Sequence, residues 1–361
     1  MRNDRAIRGT FHQEDGRSRV EGVRRRPVTI RDVAARASVS KSTVSNVVRG
    51  VPNVSPALRA KVEQAIAELG YTPSAVARGL VARRTRTLGV TIPSLEPFYA
   101  DVLHGAEARA VRDGYHLLIG STEINDRAPE ALLRRRVDGF LVCGILADDV
   151  VRLLARYGPV VLVDPSLPPG TFGSVGVDSF LGAQLAVRHL VALGHTRIAA
   201  VIESEVPEER TARIAGFRAG LSEAGLPLDP RVELRDLSGA GVRGPGARTA
   251  AVRDLLRLEP RPTAVVAGDD LAAIGLLDAF EARGVEVPRD ISVVGFDDIP
   301  FARVRRIGLT TVRQPSVTIG ELAADLLIEQ LEGRDERPIA DVQLVVEPEL
   351  VIRATTAPPP Q

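Results

Sequence analysis

The chain has 361 residues, 44% hydrophobic and 26% charged, which suits two or more soluble cores. One cysteine excludes an intrachain disulfide framework. No apolar run reaches the roughly 18–20 residues of a membrane span, and the start lacks a secretory apolar segment, so the expected compartment is the cytoplasm. The net charge of +1 hides a split: residues 24–86 hold 13 Lys+Arg against 3 Asp+Glu, whereas residues 87–361 hold 29 against 39. A basic head on an acidic body is the electrostatic footprint of a phosphate-binding module.

Residues 1–27 are polar, arginine-rich and without periodicity. They read as a disordered basic extension, or as the product of a start assigned upstream of the true one. Order is expected from Val28. Thr29 and Asp32 have the spacing of a capping box, and Val33, Ala34 and Ala37 follow at helical intervals. Ser38-Val39-Ser40 makes a turn, and Ser40 caps a second helix. That helix turns Val44, Val47 and Val48 inward and Lys41, Ser42, Ser45, Asn46 and Arg49 outward. Two short helices on so tight a turn form a helix-turn-helix, whose second helix enters the DNA major groove. Short polar side chains beside one lysine can approach base edges. A small helical bundle without a ligand is the alternative for this stretch alone. Ser55-Pro56 starts a third helix with Leu58, Val62, Ile66 and Leu69 as its stripe, and Gly70 stops it.

The run VTIRDVAARASVSKSTVSNVV, continued by VSPALRAKVEQAIAELGYTPSAVARGL, resembles the amino-terminal DNA-binding segment of the LacI/GalR family of bacterial transcriptional regulators. The likeness is nearly continuous over about 50 residues and resumes through the body. It implies that Lys41, Ser42 and Asn46 read base edges, while Thr29, Thr43, Ser45 and Arg49 contact phosphate or fix register. It makes the short segment 75–82 a hinge helix that orders on DNA in a pair. Ala77 and Leu80 lie at its DNA-binding positions, and Leu80 matches the leucine wedged into the minor groove at the operator centre. Arg83, Arg84 and Arg86 follow in position to face phosphates. The expected division is a helix-turn-helix domain over 28–73, hinge helix and linker over 74–86, a two-lobed effector-binding and dimerisation domain over 87–353, and a disordered tail over 354–361.

From Thr87 onward, short apolar runs alternate with helical stretches. Strands are expected at LGVTIP, YHLLIG, GFLVCG, VVLVD, SVGVD, RIAAVIE, VELRDL, TAVVAGD and ISVVGFDD. Helices are expected over 98–113, 179–193, 210–224, 247–258, 270–283 and 316–332, ended by Gly114, Gly194, Gly225, Gly284 and Gly333. This alternation predicts an α/β body of parallel sheets covered on both faces, in two doubly wound lobes. The resemblance implies a periplasmic-binding-protein-like architecture with three crossings between lobes, expected near Asp164–Ser166, Asp297–Pro300 and Gln314–Ile319. Cys143, within GFLVCG, reads as a buried packing residue. No leucine-heptad helix follows the body, so a dimer is expected.

Ligands of open α/β sheets bind at the carboxyl ends of strands. Asp164, Asp178 and Asp269-Asp270 end predicted strands, and Arg213 follows RIAAVIE on a helix. A guanidinium facing carboxylates suits a polar small molecule; taken singly, each residue reads first as a helix cap or surface charge. The resemblance assigns effector contacts to Arg213 and Asp270, to the aromatic pair Phe98 and Tyr99, and more loosely to Asp164 and Asp178. Four departures stand out. Asp269-Asp270 replaces the usual Asn-Asp, Glu96 replaces an asparagine, Leu237 lies where an aromatic is common, and the helix after YHLLIGS is about four residues short. The cleft is therefore expected to be more acidic and less able to stack a sugar or base.

Gly239-Ala-Gly241-Val-Arg-Gly244 has dinucleotide-loop spacing, but the acid about 20 residues on, Glu259, precedes a proline rather than ending a strand. It reads as a flexible cleft loop. No P-loop, H-E-x-x-H or G-x-S-x-G is present, the five histidines lack ligand spacing, and His195 in LGHTRI reads as a turn support. The expectation is a non-enzymatic regulator, a repressor, without metal or cofactor. Its partners are operator DNA, a second copy of the chain and a small polar effector such as a sugar. The alternative is a cytoplasmic small-molecule binder or α/β enzyme with a non-specific basic head.

Overall fold

The structure, a computed structural model, describes residues 28–48, 51–52, 54–71, 84–164, 170–202, 207–229 and 245–360, with side chains at 207–210 and 245–247 left aside. The extension 1–27, Arg49, the hinge helix with Ala77 and Leu80, the strand VELRDL with Leu237, and the glycine-rich loop lie outside them. The chain forms two compact units, a head up to Arg78 and a body from Gly79.

The head holds α1 (Ile30–Ala37), α2 (Lys41–Val48) and α3 (Pro56–Leu69). The Asp32 carboxylate accepts from the Thr29 N–H and hydroxyl, each at 2.7 Å. Ser38 adopts the left-handed conformation (φ 56°) that ends α1. Ser40 Oγ accepts from the Thr43 N–H at 3.1 Å and caps α2. Val33, Ala34, Ala37, Val44, Val47, Val62 and Ala65 make the core. One expectation fails: Leu58 is exposed, and Ala65 takes a place on the buried face of α3. The side chain of Arg59, half-buried, reaches the Val51 carbonyl at 3.0 Å.

Among the described residues the strands of the body are β1 (Thr87–Ile92), β2 (His116–Ser121), β3 (Gly139–Cys143), β4 (Val160–Val163), β5 (Gly173–Val177), β6 (Ile198–Val201), β7 (Ala264–Ala267), β8 (Ser292–Asp297), β9 (Thr310–Arg313), β10 (Gln343–Val346) and β11 (Glu349–Val351). They form two sheets: lobe 1 is built on the order β10-β5-β4-β3-β1-β2 and lobe 2 on β11-β9-β8-β7-β6. All the ladders are parallel except β9–β11. The helices are α4 (Pro97–Arg112), α5 (Ala128–Arg134), α6 (Asp148–Ala155), α7 (Ser179–Ala192), α8 (Pro207–Glu223), α9 (Pro245–Leu256), α10 (Asp270–Glu281) and α11 (Ser316–Glu332).

Alternation within each buried strand supplies both faces of a sheet. In β3, Leu141 and Cys143 join the core under α4 and α11, while Phe140 and Val142 join the core under α5 and α6. In β7, Val265 and Ala267 face α10, while Ala264 and Val266 face α7 and α8. Cys143 is buried, as expected, and burial pushes its thiol pKa far up. The helix pairs meet through glycine. A Cβ on Gly320 of α11 would lie 1.9 Å from the Val102 carbonyl oxygen of α4, and one on Gly216 of α8 would lie 2.0 Å from that of Phe180 on α7.

Among the described residues the chain passes between lobes three times. It leaves β5 for α7 at Asp178–Ser179, β9 for α11 at Gln314–Ser316, and β10 for β11 at Glu347–Pro348. The Gln314 expectation holds, and the other two do not. Asp164 and Asp297 are sharp bends with positive φ (51° and 120°), but the chain returns from each to the sheet it left.

The tail is also corrected. Residues 354–360 are not a loose end but run along lobe 2. Thr355 Oγ1 accepts from the Thr310 N–H at 2.9 Å and donates to the Val293 carbonyl at 2.7 Å. His195, buried, has Nε2 2.9 Å from the Ala357 carbonyl and Nδ1 2.9 Å from Thr263 Oγ1. A carbonyl only accepts, so Nε2 carries the proton, and burial lowers the imidazole pKa and keeps it neutral. His195 therefore pins the tail as well as supporting its turn.

Candidate effector site and DNA-reading face

On α2, Lys41 and Ser42 are exposed, while Thr43, Ser45 and Asn46 are half-buried. The hydroxyls of Ser42 and Thr43 lie 2.7 and 2.9 Å from Ser40 Oγ, so the start of α2 is a linked hydroxyl cluster beside Lys41. Thr29 is half-buried at the start of α1, held by Asp32. In the linker, Arg84 and Arg86 are exposed and both pair with Glu332 of α11, at 3.0 and 3.2 Å, and Arg86 also covers the Tyr115 ring at 4.9 Å. Asp138 accepts from the Thr85 and Arg86 N–H groups at 2.7 and 2.8 Å, which anchors the linker to lobe 1.

In lobe 1, Phe98 and Tyr99 open α4 just after Pro97. They are half-buried and pack edge to face, with ring centres 5.2 Å apart. The Tyr99 hydroxyl lies over Gly144, at the carboxyl end of β3. Asp164 follows β4, almost fully buried, with its N–H on the Val175 carbonyl at 3.0 Å. Asp178 follows β5 and caps α7, accepting from the Leu181 N–H at 2.8 Å. It thus stands at the first crossing.

In lobe 2, Arg213 reaches from α8 to the carboxyl ends of β7 and β8. Its Nη1 donates to the Gly268 carbonyl at 2.6 Å, and its guanidinium lies 4.0 Å from the centre of the Phe296 ring. Asp269 accepts from the Ala272 N–H at 2.6 Å and caps α10. Asp270 is not at the cleft surface. It is fully buried, and its carboxylate accepts from Thr311 Oγ1 at 2.5 Å and from the Ile299 N–H at 2.9 Å. Burial and the nearby Asp298 and Asp269 raise its pKa to about 7, against the pull of those two hydrogen bonds.

The carboxylate that stands with Arg213 is Asp297, at the end of β8, which the sequence reasoning missed. Burial raises its pKa well above the usual value; Arg213 opposes this, and Asp270 and Asp269 add to it. Its backbone holds φ 120°, a region that non-glycine residues rarely occupy and one that marks strained functional positions. Gln314, at the second crossing, donates from Nε2 to Asp297 Oδ1 at 2.6 Å. The signal was present in GFDD, an acid pair ending a strand like the one in AGDD. The neighbouring Asp298 is again structural: it is buried among Arg303, Arg313 and Arg353, whose charges hold its carboxyl below the usual range despite the cost of burial. In lobe 2 the structure groups Arg213, Asp269, Asp297 and Gln314 at the strand ends, and in lobe 1 it pairs Phe98 with Tyr99. No cluster of three or more His, Cys, Asp or Glu suited to a metal occurs among the described residues.

Two family models match. Residues 29–74 match bacterial regulatory proteins of the lacI family, and residues 187–356 match a periplasmic binding protein-like domain. The ribose operon repressor of Escherichia coli (strain K12) is 37% identical over 311 residues, covering 84% of this chain and 93% of that protein. The HTH-type transcriptional repressor PurR of Erwinia tasmaniensis is 36% identical over 341 residues, 92% of this chain and 98% of that protein. Among solved structures, the lac repressor dimer bound to operator and the anti-inducer ONPF aligns at TM-score 0.79 and 29% identity, covering 92% of this chain and 100% of that one. A LacI family regulator from Enterococcus faecium with bound ribose aligns at TM-score 0.67 and 27% identity, covering 75% and 99%.

Proposed function

Because the chain belongs to the LacI family of bacterial regulatory proteins, we propose that it is a ligand-responsive repressor that binds a pseudo-palindromic operator as a homodimer. The observation that carries this is one chain joining a basic helix-turn-helix to a two-lobed body with a polar site at its strand ends. The relatives it matches along most of its length are repressors rather than enzymes, and no catalytic role is assigned. No described helix is long and apolar enough to cross a membrane.

On this reading α2 enters the major groove. Lys41, Ser42 and Asn46 meet base edges, and Thr29, Thr43, Ser45 and Arg49 settle the register on phosphate. Ala77 and Leu80 act at the operator centre, where a leucine wedge unstacks a base step. The effector sits between the lobes. Phe98, Tyr99, Asp164 and Asp178 approach it from lobe 1, and Arg213, Asp297 and Gln314 from lobe 2. Leu237 is retained as a lining position, and Asp270 acts one step back by holding Ile299 and Thr311. Ribose bound to a family member supports an effector of sugar size and polarity. Such a ligand shifts operator affinity only through different affinities for the two lobe arrangements.

The test is selection of bound duplexes from a random pool by the purified full-length protein, at stated salt. One inverted repeat with a fixed centre is expected. Salt-sensitive binding with no enriched sequence would reduce the head to a non-specific phosphate binder and turn attention to the body as a solute receptor or enzyme.

A further inference from the structure

The lobe 2 part of the site is rich in acceptors and poor in donors. Asp269 and Asp297 lie at the carboxyl ends of the neighbouring parallel strands β7 and β8, with Arg213 beside them. Gln314 is only 4% exposed. The amide nitrogen of Gln314 donates to Asp297 Oδ1 at 2.6 Å. In this orientation Gln314 Oε1 is buried with no hydrogen-bond partner. A buried acceptor in that condition calls for a donor. Asp269 spends one oxygen on the α10 cap and adds a second acceptor group where an asparagine would bring N–H donors. Burial and the neighbouring acids penalise a negative charge on Asp297, so a positive charge from outside is its natural complement.

Resting on the reading of this site as the effector site, we propose that the effector is a cationic polyol, a small polyhydroxylated molecule bearing an ammonium group, as in an amino sugar. The ammonium lies among Asp269, Asp297 and Gln314 Oε1. It offers three donors and no acceptor, which matches three acceptor groups, whereas a hydroxyl offers a single donor. An ammonium held against Asp297 favours the ionised carboxylate that burial and the neighbouring acids otherwise disfavour, and a neutral sugar does not.

The experiment is calorimetric titration of the full-length protein at pH 7 with matched pairs: glucose and glucosamine, galactose and galactosamine, mannose and mannosamine, with ribose alongside. At least one hexosamine is expected to bind tenfold or more tightly than its parent sugar. Asp269→Asn keeps an equally good helix cap and is expected to remove at least tenfold of that preference. Neutral sugars binding as tightly as their aminated partners, or tighter, would overturn the cationic inference and leave the effector site standing. A preference for the amine that survives Asp269→Asn unchanged would also overturn it. Absence of binding by every probe would overturn it and count against the effector site as well.

Discussion

The two Asp-Asp pairs of lobe 2 divide their work in the same way. Asp269 and Asp297 stand by Arg213 at the strand ends, while Asp270 and Asp298 are buried and bonded within the lobe. Local pattern does not rank two neighbouring identical residues: Asp270 was assigned through the family resemblance, and Asp297 was read only as part of a crossing between lobes. Arg213 was legible only through the family resemblance of RIAGF, since an arginine on a helix reads by itself as a surface charge; in the structure its Nη1 holds the Gly268 carbonyl. The raised pKa of Asp270 has a consequence for stability. Its folded value of about 7 lies above the ordinary 3.8, so the folded state binds the proton more tightly than the unfolded chain. The stability from this group is complete below about pH 4 and is lost as pH rises through 7. Asp270→Asn, neutral throughout, should flatten that decline. Urea midpoints of the full chain at pH 4.5, 6 and 7.5 would check it, and an unaltered slope would place the titration elsewhere.

Elements were legible where their side chains are apolar. β2 reads in HLLIG although it is an edge strand with exposed His116 and Ile119, whereas β9, buried at Thr310, Thr311 and Val312, was missed because TTVR holds two hydroxyls and a charge in four residues. β1, β3, β4 and β7 read as apolar runs because both faces of each sheet are covered. β10 and β11 escaped notice because they are edge strands with exposed Gln343, Val345 and Glu349. α5 and α6, at 7 and 8 residues, are too short to show a period. The crossings depend on long-range pairings such as β10 with β5, which no local pattern encodes. Tight helix contacts yield a direct prediction. Gly320→Ala has no room beside the Val102 carbonyl, so α11 must move off α4, at a cost of about 1–3 kcal/mol or more. Chemical denaturation would register the loss, and an unchanged midpoint would mean the helices slide freely. The tail provides a second. Thr355→Val strands the buried Thr310 N–H, at a cost of roughly 1–3 kcal/mol. Thermal melting should show a drop of several degrees, whereas a truly loose tail would show none.

At the scale of the whole molecule, the opposition of a basic head and an acidic body was visible in composition alone, and the relatives matched along most of the chain are repressors. Leu80→Ala is expected to weaken binding to the selected operator at least tenfold while leaving non-specific affinity and the melting of the body unchanged. Equal binding to operator by both proteins would remove the wedge. The three passages between lobes carry a consequence for synthesis. Lobe 1 begins at Thr87, yet its covering helix α11 and edge strand β10 come from residues 316–332 and 343–346. The three-helix head is finished by Gly70. Synthesis therefore completes the three-helix head long before lobe 1 can close, and any chain cut short ahead of Gln343 carries a finished head on a lobe whose sheet still lacks its last strand.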